Sequence, residues 1–113
     1  MEIDISQFHQ SFFEESLEML ADMEKALLNI DVNQPTDKEA VNRIFRAMHS
    51  MKGGSATFGF NIIRDFTHTL ESYLTQIRNG SQSLTKESVD LMLKAVDCLR
   101  DLIADLSQNS LSL

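Results

Sequence analysis

The chain has 113 residues, which is enough for one domain and too short for two. Its formal net charge of −7 argues against nucleic-acid partners, and no apolar run approaches the ~20 residues needed for membrane insertion. One proline, four glycines and a single cysteine favour a helical, cytoplasmic protein over a many-stranded sheet or a disulfide-linked fold.

The spacing of apolar residues predicts helices over about residues 4–30, 36–58, 61–79 and 85–107. In the first helix, Asp4 is the predicted cap, Ile3 and Phe8 form a predicted hydrophobic staple, and Phe8 and Phe12 belong to the core stripe. The second helix is predicted to begin in the capping box Thr36–Glu39.

The ends of the later helices are also marked in the sequence. Gly59 is predicted to stop the second helix, and Asn61 to cap the third, which ends at Asn79-Gly80. Thr85 is predicted to cap the fourth helix, and residues 108–113 are predicted to fray. Four amphipathic helices joined by short turns predict an all-α, antiparallel up-down four-helix bundle.

The fourth helix carries a second apolar line in addition to its core stripe. A bundle helix needs only one stripe, so this line suggests a fifth helix beyond the fragment, a partner or a longer parent chain. Scattered surface apolar residues are the alternative, since they are common. The line consists of Leu91, Ala95, Cys98 and Leu102.

A basic segment containing His49 is the first candidate for function. Residues 40–64 hold four basic side chains and no acidic one, which predicts either a local anion site or a solvated helix face. His49 lies about 140° from the centre of the second helix's apolar stripe, so its ring should face solvent. An exposed imidazole is a good nucleophile, and Lys52 could neutralise part of the charge of an attached phosphoryl group.

The Gly53-Gly54 pair follows one turn later. Each glycine costs about 0.8–1 kcal/mol inside a helix, which predicts either a break or a need for little bulk beside the imidazole. We predict that a partner docks on this outer face, through Arg46, Gly53, Gly54 and Ala56.

The third helix offers a carboxylate for the imidazole. His68 and Glu71 are three residues apart and share one face, off the apolar stripe. In an antiparallel hairpin, Glu71 can accept a hydrogen bond from one ring nitrogen of His49 and leave the other free to attack. A solvated surface pair is the alternative.

Two segments resemble a known family. Phe45–Phe60, with the sequence FRAMHSMKGGSATFGF, closely resembles the signature of the histidine phosphotransfer domain of CheA-type chemotaxis kinases. Thr67–Glu71, with the sequence THTLE, resembles the same family's third-helix motif.

The resemblance implies a set of catalytic residues and partners. His49 would be the phosphorylated residue, Glu71 would orient its ring, and Lys52 and His68 would complete a hydrogen-bonded cluster. Phosphate would come from the ATP-bound kinase catalytic domain of the same or a partner chain and pass to an aspartate of a response-regulator receiver domain. ATP and Mg²⁺ would then sit on those partners, with no cofactor on this domain.

Other functions are weighed beside this one. The chain is predicted to be the N-terminal fragment of a larger kinase, with a free-standing phosphorelay protein or a non-catalytic adaptor bundle as alternatives. A di-iron bundle would need Glu-x-x-His motifs on facing helices, and the nearest approach is Asp65-x-x-His68, so no metal site is predicted.

Overall fold

The computed structural model describes the backbone of residues 5–111 and the side chains of residues 6–108. Its elements are the helices α1 (Ile5–Leu28), α2 (Lys38–Phe58), α3 (Asn61–Arg78) and α4 (Lys86–Leu111). Each helix packs against the next along the chain, and α4 returns to α1, which gives a bundle of 54 × 20 × 19 Å. The predicted all-α, antiparallel four-helix bundle is confirmed. Among the described helices, none combines the length and the apolar character that a membrane crossing requires.

The core is formed by one apolar face of each helix. On α2 the predicted stripe is buried from Val41 to Ser55, which confirms the period read from the sequence. Phe8 on α1, however, is 54% exposed, so its assignment to the core was wrong. Phe13 is buried on α1 instead, because its ring packs against the rings of Phe12 and Phe60.

The start of α2 differs from the prediction by one residue at the cap. Asp37, not Thr36, is the N-cap, and its carboxylate accepts hydrogen bonds from the backbone N–H groups of Glu39 and Ala40. The carboxylate accepts from two N–H donors here. Its negative charge also interacts favourably with the positive end of the helix dipole, whereas a threonine hydroxyl is neutral. The predicted cap Asp4 and staple residue Ile3 of α1 lie outside the described residues.

A two-residue turn joins α2 to α3. Gly59 ends α2 as predicted, with a φ of 76°, and the N–H of Phe60 donates to the carbonyl of Ser55. Because the turn is this short, Asn61 is already the first residue of α3 and does not cap it. Phe60 occupies the cap position and makes no capping bond through its side chain.

The fourth helix begins as predicted and ends later. Thr85 Oγ1 accepts a hydrogen bond from the N–H of Ser88, so Thr85 is the cap. The helix continues to Leu111 rather than to residue 107, which corrects the predicted start of fraying at 108. Of the second apolar line, Ala95 is buried and Leu102 half-buried, while Leu91 and Cys98 are exposed. That line is therefore partly core, and the fifth helix stays a prediction.

The two adjacent glycines of α2 have different surroundings. A β-carbon added at Gly54 would lie 2.6 Å from Cε2 of Phe12, whereas one added at Gly53 would have nothing within 4 Å. Phe12 is buried between the rings of Phe13 and Phe58, at centroid distances of 5.8 and 5.7 Å, so it has little room to move. Gly54 therefore lets α1 approach α2, a packing role beside which its assignment to a partner-docking surface stays a prediction.

Alanine substitutions should separate the two glycines. Gly53→Ala should stabilise the domain by up to about 1 kcal/mol, because alanine favours the helix and meets open space. Gly54→Ala gains the same propensity, but overpacking against Phe12 should cost about 1–3 kcal/mol and lower the stability overall. Urea unfolding of both variants beside the wild type measures the two effects.

The Gly54→Ala, Phe12→Leu double variant is the control, because the smaller side chain should recover part of the loss. Equal stabilisation by both single alanine substitutions would contradict the packing role of Gly54.

Candidate functional site

His49 lies on the outer surface of α2, with its side chain 66% exposed. Met48, one residue before it, and Met51, two residues after it, are fully buried, so the helix period itself turns the imidazole outward. The ring is fixed to a rigid, hydrogen-bonded helix while most of its surface remains open to solvent. The predicted exposure of His49 is confirmed.

Glu71 of α3 links two residues of α2. Its Oε2 lies 3.2 Å from Nδ1 of His49, and its Oε1 accepts a hydrogen bond of 2.9 Å from Nζ of Lys52. His49 and Lys52 are one turn apart, so a single carboxylate reaches both. The hairpin expected from the sequence therefore brings His49, Glu71 and Lys52 together.

The protonation state of Glu71 decides which ring nitrogen of His49 is free. Partial burial acts to raise the pKa of Glu71, but hydrogen bonds and charge interactions with Lys52 and His49 outweigh it and hold that pKa below its ordinary value. Glu71 is thus ionised at neutral pH and can only accept hydrogen bonds. Nδ1 of His49 must carry the proton it donates, which leaves the lone pair on Nε2 of the neutral ring.

Lys52 belongs to the hydrogen-bonded cluster around Glu71, as the family resemblance implies. Its side chain is 26% exposed, and its ammonium donates a hydrogen bond to Glu71. A lysine ammonium has three N–H donors, so two remain for water or an attached group. Its first effect in the resting protein is to fix the carboxylate and keep it ionised.

His68 is not part of the hydrogen-bonded cluster, which corrects the role implied by the family resemblance. Its side chain is exposed and makes no hydrogen bond or ion pair with the described side chains, 6–108. Both oxygens of Glu71 already have donors from α2.

The predicted docking residues other than Gly54 are exposed. Arg46, Gly53 and Ala56 all lie on the solvent side of α2. Arg46 also borders a cleft against α1 that includes Asp22. The open space at Gly53, one turn beyond His49, gives this face a site where another molecule's backbone can approach.

An aromatic ring beside His49 was absent from the predicted site. The rings of Phe45 and His49 lie within 14° of parallel, with centroids 6.3 Å apart, and the guanidinium carbon of Arg78 lies 4.3 Å from the Phe45 centroid. The position of Phe45, four residues before His49, is a signal visible in the sequence. Arg78 comes from the other helix, so only the tertiary structure reveals it.

The side chains described, 6–108, include no group of three or more His, Cys, Asp or Glu that could hold a metal ion.

The sequence of the chain matches one family profile and several chemotaxis proteins. The sequence profile of the Hpt domain matches residues 7–109. The chemotaxis protein CheA of Klebsiella aerogenes is 46% identical over 101 residues, covering 89% of this chain and 15% of that protein. CheA of Bacillus subtilis is 38% identical with the same two coverages. The chain thus spans about 15% of the length of the curated relatives it matches.

Solved structures show the same arrangement of helices. The CheA phosphotransferase domain from Thermotoga maritima superposes with a TM-score of 0.84 at 29% identity, covering 92% of this chain and 98% of that one. The phosphorylated P1 domain of CheA3 from R. sphaeroides, solved in complex with CheY6, superposes with a TM-score of 0.83 at 23% identity. That alignment covers 92% of this chain and 80% of the other, and at this identity it supports the fold alone.

The lowered pKa of Glu71 predicts how its contribution to stability depends on pH. Glu71→Gln should lower the free energy of unfolding at pH 7 by less than about 1 kcal/mol, as expected for a partly exposed ion pair. Because the pKa is lower in the folded state, the stabilisation is complete above the unfolded-state pKa near ~4.3. It is lost as the pH falls through the folded-state pKa, so the wild type and variant should converge in acid.

Urea unfolding at a series of pH values measures this difference, and NMR titration of the Glu71 carboxyl carbon gives its pKa directly. Glu18→Gln, at an exposed position of α1, controls for the change in net charge. A difference that persists undiminished below the folded-state pKa of Glu71 would contradict the assigned interaction.

Proposed function

This chain belongs to the Hpt domain family, and from that premise we propose that His49 accepts a phosphoryl group from a kinase domain and passes it to an aspartate of a response-regulator receiver. One observation carries the proposal: an exposed imidazole has its Nδ1 bonded to an ionised carboxylate, so only its Nε2 is unengaged. A surface histidine without such a partner would divide its proton between both nitrogens.

The first step is nucleophilic attack on ATP bound to the kinase domain. The lone pair on Nε2 of His49 attacks the γ-phosphorus, a P–N bond forms, and the bond from phosphorus to the ADP oxygen breaks as ADP leaves. The ring gains positive character in this step, and Glu71 stabilises it through the Nδ1–H bond. Glu71 is a positioning residue here, since it touches the nucleophile and not the reacting phosphorus.

The second step transfers the phosphoryl group to the receiver. A carboxylate oxygen of the receiver's aspartate attacks phosphorus, the P–N bond breaks, and the electron pair returns to Nε2, which restores the neutral ring. Lys52 has two N–H donors that do not bond to Glu71, and these are proposed to interact with phosphoryl oxygens. Gly53 and Ala56 have little or no side-chain bulk on the outer face of α2, which leaves space for the receiver.

The proposed setting is a cytoplasmic chemotaxis kinase. The identity to CheA proteins supports a kinase parent in which this domain is the phosphocarrier, while ATP and Mg²⁺ would belong to the kinase and receiver domains. His68, without a bond to the cluster, is proposed to have at most an indirect effect on the reaction.

The histidines of the chain allow a direct test of the phosphorylation site. His49→Gln should abolish phosphorylation by a CheA-type kinase with labelled ATP, because glutamine keeps the size of the side chain and removes the nucleophile. His9→Gln and His68→Gln should retain acid-labile label, although His9 packs against the rings of Phe58 and Phe60 and its variant should be less stable.

Phosphoramidate, a small phosphoryl donor, tests the nucleophile without any docking requirement, with the modified atom identified by NMR of the ring. Acid-labile label that persists in His49→Gln would refute the assignment, and phosphate on Nδ1 of His49 would refute the mechanism.

A bulky residue at Gly53 should separate folding from transfer. Gly53→Gln should be at least as stable as the wild type, with a gain of up to about 1 kcal/mol from helix propensity, because the position is open. The side chain would occupy space one turn from the phosphoryl group, so transfer to a CheY-type receiver should slow by about tenfold or more, equivalent to ~1.4 kcal/mol.

Thermal melts and a transfer time course on the same samples measure both effects. Gly53→Ala is the matched control, with a gain in helix propensity at least as large and little added bulk. Normal transfer by Gly53→Gln would show that the receiver docks elsewhere.

A further inference from the structure

We propose that Phe45 and Arg78 are positioning residues for His49: the Phe45 ring limits rotation of the imidazole, and the Arg78 guanidinium holds the Phe45 ring in place. This inference rests on the proposed function, since its kinetic consequence requires His49 to be the phosphoacceptor. Its structural part concerns the ring of the unphosphorylated protein and can be tested without a kinase.

The hydrogen bond to Glu71 by itself leaves the tilt of the imidazole plane poorly restrained. A hydrogen bond at Nδ1 fixes one atom of the ring, but the ring can still tilt about the line from that atom to the carboxylate. With 66% of the side chain exposed, few other atoms stand in the way of such a tilt. The direction of the Nε2 lone pair, which must point at phosphorus, follows the ring plane.

Phe45 supplies a second restraint on that plane. It lies one turn before His49 on α2, half-buried, and the two rings are 14° from parallel with centroids 6.3 Å apart. This is an offset arrangement within the range in which aromatic rings attract one another. A hydrogen bond at one edge and a ring along one side together define the orientation of the imidazole.

Arg78 in turn determines where the Phe45 ring lies. Its guanidinium carbon is 4.3 Å from the Phe45 centroid, a cation–π contact between α3 and α2. Arg78 forms no ion pair with the described side chains, 6–108, so no carboxylate among them draws the guanidinium away from the ring. It is the last residue of α3, where a positive charge is also favoured by the helix dipole.

Glu71 and Arg78 are two turns apart on the same helix, so α3 restrains His49 by two separate routes. One route is the direct hydrogen bond from Glu71, and the other runs from Arg78 through the Phe45 ring. Because the second route uses no group that bonds to the imidazole nitrogens, its loss should loosen the ring without changing which nitrogen carries the proton.

The test uses Phe45→Leu, which keeps apolar bulk and removes the ring, and Arg78→Gln, which removes the cation. NMR relaxation of the ¹³C-labelled His49 ring should report larger ring motion in both variants, with the Nδ1–H tautomer unchanged. Phosphorylation by a CheA-type kinase should slow by about two- to tenfold in Phe45→Leu and less in Arg78→Gln. Arg78→Lys, which keeps a cation near the ring, should restore part of the loss.

Matched controls separate positioning from stability. Phe66→Leu removes a half-buried ring of α3 and Arg43→Gln removes an exposed cation of α2; both should leave the His49 ring motion and rate unchanged. Ring motion in Phe45→Leu and Arg78→Gln that equals the wild type would overturn the inference. If the wild type takes no phosphate on His49, the proposed function fails, while the relaxation data still decide whether Phe45 and Arg78 restrain the ring.

Discussion

The carboxylate of Glu71 is the interaction on which the arrangement of the site depends. Its two oxygens bond separately to His49 and Lys52, which are one turn apart on the facing helix. This geometry requires a fixed register between α2 and α3, and the two-residue turn at Gly59 and Phe60 provides it. A shift of α3 by one residue would rotate its side chains by about 100°, and a carboxylate could no longer reach either partner.

Features that depend on local spacing could be predicted from the sequence. The burial of Met48 and Met51 and the exposure of His49 follow from the helix period alone, and Gly59 signalled the turn. The approach of Glu71 to His49 could be foreseen as well, because short turns force consecutive helices into antiparallel contact. In each of these cases the helix period or a short turn decides the outcome.

Features that depend on which side chains meet where two helices pack, or on competition between neighbouring groups, could not be predicted unless a short turn fixed the helix pair. Nothing local indicates that Gly54 faces Phe12, a residue of another helix. His68 shares a face with Glu71, but spacing does not reveal that both carboxylate oxygens are taken by donors from α2. Asp37 and Thr36 are both good caps, and the choice between them depends on which one places its oxygen at two free N–H groups.

The double glycine shows how one stretch of helix can serve both the fold and the surface. Successive residues point about 100° apart, so Gly53 opens the outer face while Gly54 admits Phe12 on the inner one. The buried Ser55 that follows is satisfied within the same stretch, because its hydroxyl donates to the carbonyl of Lys52. The helix therefore continues through both glycines without leaving a buried hydroxyl unpaired there.

The restraints on His49 come from α2 and α3, whereas the contact at Gly54 ties α2 to α1. The position of the nucleophile is therefore set by one helix pair, and the remainder of the bundle acts on it by keeping that pair rigid. Because Glu71 engages Nδ1 of His49, Nε2 is the one ring nitrogen left for the proposed chemistry. Under the proposed function each partner brings its own catalytic groups to that atom, and we propose that the surface around it, at Arg46, Gly53 and Ala56, selects among partners.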